Sequence, residues 1–125
     1  GGYAGVALRA GLALTQDRPL RIALNVPNNG AIEGFEPDDV VEVTCNVDGR
    51  GVHPIAIGKV PEAQYLLMRA VKRYERLAVD AILQRDRTLA LEALAAHPLV
   101  RSYALAEQLL TGYMTAHAEA IGEWA

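Results

Sequence analysis

Three asparagines crowd the segment Asn25-Val26-Pro27-Asn28-Asn29-Gly30, and their chemistry is the most pointed in the chain. Each amide offers a donor and an acceptor without charge, a combination suited to a neutral polyol such as a sugar. Pro-Asn-Asn-Gly is also the composition of a tight turn, because these residues tolerate fixed or left-handed backbone. A structural turn and a sugar-facing loop are both open on the residues alone.

The other reactive side chains lend themselves to structural roles. Asp38 and Asp39 are adjacent. On a strand they would point to opposite faces, so they cannot form a catalytic carboxylate pair. They fit instead as the residues that fix a turn into the following strand. Cys45 sits between Val43 and Val47 on the apolar side of an alternating run, where a thiol behaves as a small hydrophobe. His53, His97 and His117 are scattered, with no two at ligand spacing on one helix. His97 precedes Pro98 at a helix end, where it can satisfy terminal carbonyls. Gly1-Gly2-Tyr3-Ala4-Gly5 is no dinucleotide fingerprint, since no strand precedes it. The chain therefore shows no catalytic residue, no cofactor-binding residue and no metal ligand of its own.

The elements that must position these groups fall into two halves. Tyr3 to about Thr15 reads as a helix, ended by Gln16-Asp17-Arg18-Pro19. Leu20, Ile22, Leu24 and Val26 alternate as a half-buried strand over 20–26. Val41, Val43, Cys45 and Val47 repeat that pattern, and Asp48-Gly49-Arg50-Gly51 turns it into a short third strand around 52–57. Pro54 inside that strand places it on an edge or at a bulge. From Pro61 onward the pattern is helical: Ala63, Leu66, Leu67, Ala70, Val71, Tyr74, Leu77, Ala78, Ala81 and Ile82 form one stripe. Arg69, Lys72, Arg73 and Arg76 make a basic face that is either solvated, set against an acidic subunit or able to receive a sugar phosphate. Asp86 and Ser102 stand where helix caps belong, and the last helix is expected to run to about Ile121. The result is an α+β domain over 1–125, a small antiparallel meander packed with several helices.

Composition sets the outer bounds. The 125 residues, 51% of them hydrophobic, are enough for one core that buries roughly two-thirds of the unfolded surface. Arg, Glu or Asp interrupts every apolar run short of a membrane span. A single cysteine excludes an internal disulfide and agrees with a reducing cytoplasm. The net charge of −3 argues against nucleic acid as a partner. Opening on Gly1-Gly2-Tyr3 without methionine, the chain is expected to be a truncation, a cloned domain or a processed product.

Order along the chain adds a resemblance. Asn25-Val26-Pro27-Asn28-Asn29-Gly30-Ala31-Ile32 is followed by Asp38-Asp39-Val40-Val41-Glu42-Val43-Thr44-Cys45, then Pro54-Ile55-Ala56-Ile57-Gly58, Tyr74-Glu75-Arg76-Leu77-Ala78 and His97-Pro98-Leu99-Val100. None of these is specific alone. As an ordered series the sequence resembles the C-terminal region of the family 4 glycoside hydrolases, the NAD- and manganese-dependent enzymes that include 6-phospho-β-glucosidases. It covers this whole chain and about the last third of a typical member. The resemblance implies a fold similar to the C-terminal domain of the lactate/malate dehydrogenase-like superfamily.

It further implies a reaction that departs from the two-carboxylate scheme. Members oxidise the sugar's C3 hydroxyl transiently, a tyrosine removes the acidified C2 proton, and the aglycone leaves by elimination before the steps reverse around water. The glycine-rich loop, the metal ligands (a cysteine among them), the catalytic tyrosine and the phosphate-binding arginine would all precede Gly1. Cys45 inherits no metal role. Tyr3 matches a tyrosine just after that arginine, but Gly5 and Val6 depart from the polar pair some members carry there. What falls to this chain is one wall of a substrate cleft, with Asn28 and Asn29 meeting the sugar and Asn25 behind them holding the loop, together with contacts in a homo-oligomer, a dimer or tetramer. The intact enzyme would be cytoplasmic, would act on a small (phospho)glycoside, and would have no nucleic-acid or membrane partner; the fragment alone would be inactive. Other readings stay open: a stand-alone sugar-binding or dimerisation domain, a family 4 α-glucosidase or α-galactosidase, and a dehydrogenase C-terminal domain, whose histidine–aspartate pair has no counterpart here.

Overall fold

The computed structural model describes residues 2–125, so Gly1 of the glycine-containing opening lies outside the described residues. The chain divides into two compact units, Gly1–Val60 and Pro61–Ala125, and the boundary falls where the sheet half gives way to the helical half.

The first unit runs α1 (Tyr3–Gln16), β1 (Leu20–Pro27), β2 (Val40–Asp48) and β3 (Gly51–Pro54). The strands form one antiparallel sheet in the order β1-β2-β3. In register, Leu20, Ile22, Leu24 and Val26 lie opposite Val47, Cys45, Val43 and Val41. The two period-two patterns therefore share a face, and α1 packs on the sheet through β2 and β1. That face is the core of the unit: Val41, Val43, Cys45 and Val47 are buried, as is Ala13 of α1. Asp17 ends α1 in left-handed backbone, and its Oδ1 accepts from the Gly49 amide at 2.9 Å, tying the helix end to the β2–β3 turn. β3 is shorter than its sequence pattern suggests. Pro54 pairs with Cys45 but has no amide to continue the ladder, and one further bond, Ile55 N–H to the Thr44 carbonyl at 2.9 Å, closes the pairing.

The second unit contains α2 (Glu62–Gln84), α3 (Arg87–Ala96), α4 (Tyr103–Ala116) and α5 (Ala118–Ile121). Pro61 sits immediately before α2. Asp86 caps α3, its carboxylate accepting from the Thr88 and Leu89 amides, and Ser102 caps α4 by accepting from Leu105. Ala81, Ala93, Ala106 and Leu110 are buried where the helices meet, so small side chains let these helices approach closely. The expected single last helix is broken at His117, whose φ of −115° and ψ of 12° leave helical geometry. No proline or glycine forces the break there. The redirected chain instead returns Ala125 to the α2–α3 link, where its amide donates to the Arg85 carbonyl at 3.0 Å and its carbonyl accepts from the Arg87 amide at 2.8 Å.

Candidate functional site

β1 ends in a tight turn. The Ala31 amide donates to the Asn28 carbonyl at 2.7 Å, while Asn29 and Gly30 between them have φ of 42° and 86°. Two successive left-handed residues closed by this bond make a type I′ turn, for which Asn-Gly is the preferred pair. A second turn follows at Glu36-Pro37-Asp38-Asp39, closed by the Asp39 amide on the Glu36 carbonyl at 3.1 Å.

Between these turns the backbone is irregular, and side chains supply partners that a ladder would otherwise provide. Asn28 is 1% exposed. Its Nδ2 donates to the carbonyls of Ile32 and Phe35, both at 3.1 Å, and its Oδ1 accepts from the Ile32 amide at 2.8 Å. Asp39, also buried, accepts from the Glu36 amide at 2.9 Å through Oδ2. The main chain closes the remaining sides: Asn28 N–H donates to Asp39 O at 2.7 Å and Asn29 N–H to Pro37 O at 3.1 Å. The amides of Ile57 and Gly58 donate to Ala31 O at 2.7 and 3.2 Å, and Ile32 forms a parallel bridge with Gly58. Ala31, Ile32 and Phe35 are buried beneath this frame.

The fold places the asparagines otherwise than the expected division of labour has them. Asn28, anticipated as a sugar contact, has its amide turned inward and holds the loop. Asn25, anticipated as the holder, lies exposed on β1 opposite Glu42. Asn29 is exposed at the turn apex. The signal for this was present in the sequence: Asn29-Gly30 as a I′ pair puts Asn28 at the first turn position, where an asparagine side chain bonds the chain ahead of it. The pinning by Ile57 and Gly58 had no such signal, because it joins segments far apart in the chain.

The remaining candidates take structural places. Asp39 fixes the turn into β2 as expected. Cys45 is fully buried, and burial pushes its thiol above the ordinary value. His53 lies 3.3 Å from the Asp48 carboxylate at the hairpin turn. His97 accepts from the Leu99 amide at 3.2 Å through Nδ1 and meets the Tyr74 ring edge-on at 4.6 Å. His117 lies at the α4–α5 break. Within the basic face of α2, Lys72 pairs with Glu75.

Neither cofactor implied by the resemblance fits these residues. Among the described residues no group of three or more His, Cys, Asp or Glu converges in a way that could hold a metal ion. The sheet is wholly antiparallel, whereas a dinucleotide fold carries its glycine-rich turn between a parallel strand and a helix. The Asn28–Ala31 turn carries no ionisable side chain, and the exposed amide of Asn29 can hydrogen-bond hydroxyls.

Residues 6–100 match the family 4 glycosyl hydrolase C-terminal domain. The 6-phospho-beta-glucosidase BglT of Thermotoga maritima is 40% identical over 96 residues, which cover 77% of this chain and 23% of that protein. A crystal structure of the Thermotoga maritima 6-phospho-beta glucosidase with manganese, NAD+ and glucose-6-phosphate superposes with a TM-score of 0.86 at 35% identity, over 95% of this chain and 29% of that one. A 6-phospho-alpha-glucosidase from gut microorganisms, solved with NAD and glucose-6-phosphate, superposes with a TM-score of 0.91 at 29% identity, over 100% of this chain and 28% of that one. The chain thus spans between a fifth and a third of the length of these proteins. It belongs to the family 4 glycosyl hydrolases, of which it is the C-terminal domain.

Proposed function

We propose that this chain serves as the C-terminal domain of an NAD- and manganese-dependent glycosidase that hydrolyses 6-phospho-β-glucosides in the cytoplasm. Its two units act there as one domain that forms a wall of the substrate cleft and supports contacts between subunits. The observation that carries this reading is the pinned Asn28–Asp39 loop, whose type I′ turn leaves the neutral amide of Asn29 exposed. It occurs in a chain 40% identical to a 6-phospho-β-glucosidase over 96 residues. In the proposed site Asn29 and Asn25 offer hydrogen bonds to sugar hydroxyls, and Asn28 positions them. NAD and manganese are held by the part of the enzyme that precedes this domain, as supported by their presence in the longer related structures. A second reading, a 6-phospho-α-glucosidase, is favoured by the high TM-score to an enzyme of that specificity.

The test has two arms. The chain alone, given NAD, manganese and a chromogenic 6-phosphoglucoside, should show no turnover above a no-protein blank; clear turnover would overturn the proposal. A chimera in which the chain replaces the matching segment of the Thermotoga maritima enzyme should hydrolyse the β-substrate. In that chimera Asn29→Ala should raise KM about tenfold, the equivalent of one hydrogen bond to substrate. An unchanged KM would remove Asn29 from the cleft.

A further inference from the structure

The chain holds four asparagines, and only Asn29 is followed by glycine. Asparagine is chemically labile because its side-chain carbon lies within reach of the next residue's main-chain nitrogen. The turn at the end of β1 treats two neighbouring asparagines in opposite ways. Asn28 is locked: its side chain is buried and bonded to Ile32 and Phe35. The nitrogen that would attack it, that of Asn29, donates to the Pro37 carbonyl at 3.1 Å. Asn29 and Gly30, by contrast, are both exposed. Neither the Asn29 carbonyl nor the Gly30 amide, the two polar groups of the peptide between them, has a hydrogen-bond partner among the described residues. Beyond its chain neighbours, no atom lies within 4 Å of the point where a Gly30 side chain would begin. Asn25 and Asn46 are each followed by a valine inside a strand, where the backbone is held extended.

We propose that Asn29 is a site of spontaneous modification, at which the Gly30 nitrogen displaces the side-chain amide nitrogen and leaves aspartate or isoaspartate at the turn apex. The Gly30 nitrogen bonds to Asn29 Cγ, the Cγ–Nδ2 bond breaks, and the peptide proton ends on the departing ammonia. Water then opens the cyclic imide. Cleavage of the new bond at Cγ gives aspartate; cleavage of the original peptide bond gives isoaspartate. One water enters, one ammonia leaves, and nothing is oxidised or reduced. Ring closure requires the peptide plane between Asn29 and Gly30 to turn over. Types I′ and II′ share a positive φ at the first central residue and the same closing bond. The plane therefore turns while Asn29 keeps its φ of 42° and the Ala31 amide stays on the Asn28 carbonyl. Glycine accepts the changed φ at the second position without steric cost. Since both polar groups of that plane are unbonded, the turnover breaks no hydrogen bond. Either product adds a negative charge at the apex, and isoaspartate also lengthens the main chain by one carbon. The charge would replace the amide offered to the sugar and repel a substrate phosphate, a consequence that rests on the proposed function; the conversion itself does not.

The experiment incubates the folded chain in mildly alkaline and mildly acidic buffer and follows the amide-to-acid mass gain at each asparagine by fragment mass spectrometry. Electron-transfer fragmentation separates aspartate from isoaspartate. Asn29 should convert at least about tenfold faster than Asn25, Asn28 or Asn46, faster in the alkaline buffer, with both acids formed. A blocked peptide of residues 26–32, free of the fold, is the reference. The folded chain should convert no more than about threefold slower than the peptide, because the turn leaves the ring closure open. A larger slowing overturns the proposal, since the turn would then hold the peptide plane fixed. Aspartate without isoaspartate overturns it as well, because water would then have attacked the side chain directly. Asn29→Gln, whose ring would need one more carbon, should show no conversion at that position while the other asparagines keep their rates. Mass reports conversion whether or not Asn29 meets a sugar, so a failed KM test and a failed conversion are separate results.

Discussion

The two units satisfy their backbone polar groups in opposite ways. In the helical unit the main chain provides nearly everything, and side chains are needed mainly at helix ends, where Asp86 and Ser102 act as caps. In the sheet unit the 28–39 segment has no ladder, so buried side chains become part of the backbone's bonding pattern. The difference teaches where sensitivity lies. A polar substitution on a helix costs a cap; one beneath the loop leaves several main-chain groups unpaired in a dry place, and also shifts the residues the loop displays.

The largest effect is expected at Asn28. Asn28→Asp replaces the Nδ2 donor with a carboxylate oxygen facing the Ile32 and Phe35 carbonyls at a position 1% exposed. The loss should be about 3–5 kcal/mol, since two bonds become repulsions in a site that excludes water. Urea denaturation measures it, and exchange of the Ile32 amide, which donates to Asn28 Oδ1, localises it. A cost below about 1 kcal/mol would mean that the main-chain bonds hold the loop alone, and the contrast between the units would fail.

Next comes packing. Val47→Ala on the buried face of β2 should cost about 2 kcal/mol by removing two methyls from a site 1% exposed. Leu83→Ala on α2, where the leucine is 77% exposed, should stay within about 0.5 kcal/mol although it removes more carbon. Equal costs would mean that Leu83 is covered in solution, for instance by a second copy. Below these, Asp86→Ala should cost about 1 kcal/mol, because one carboxylate oxygen serves the Thr88 and Leu89 amides.

This contrast also explains what the sequence made legible. Period-two apolar spacing located β1 and β2 and the buried side of each, because side-chain direction on a strand is fixed by alternation; that the two sides coincide came from the register. Asp86 and Ser102 were legible as caps because capping is local, decided within three residues. Asn28 was seen as important but assigned the wrong partners. Its bonds reach Phe35, seven residues on, and composition does not say which way an amide points. The break at His117 was not legible at all, since Ala116-His117-Ala118 is ordinary helix sequence and the redirection depends on contacts near Arg85. An apolar groove that Trp124 helps to line in the helical unit was not legible either, because it depends on three helices meeting.

The smallest effect expected is at the β2–β3 turn, where a side chain completes the backbone as in the loop but in the open. Asp48 accepts from the Arg50 amide at 2.8 Å, pairs with the Arg50 guanidinium at 3.1 Å and lies 3.3 Å from His53. The Arg50 amide first, and its guanidinium second, hold this carboxyl below its ordinary 3.8. A depressed carboxyl contributes stability that is present above the unfolded value and is lost as pH falls through the folded one. The wild-type melting temperature should therefore drop more steeply below pH 3.8 than that of Asp48→Asn, and the two curves should converge in acid. Added salt should narrow the gap only in part, because it screens the exposed guanidinium pair but leaves the amide bond, the larger of the two causes. Parallel curves would show that an exposed turn gains nothing from a side-chain partner. Side-chain completion of the backbone would then matter only where water is excluded, which sharpens the distinction between this turn and the loop that Asn28 holds.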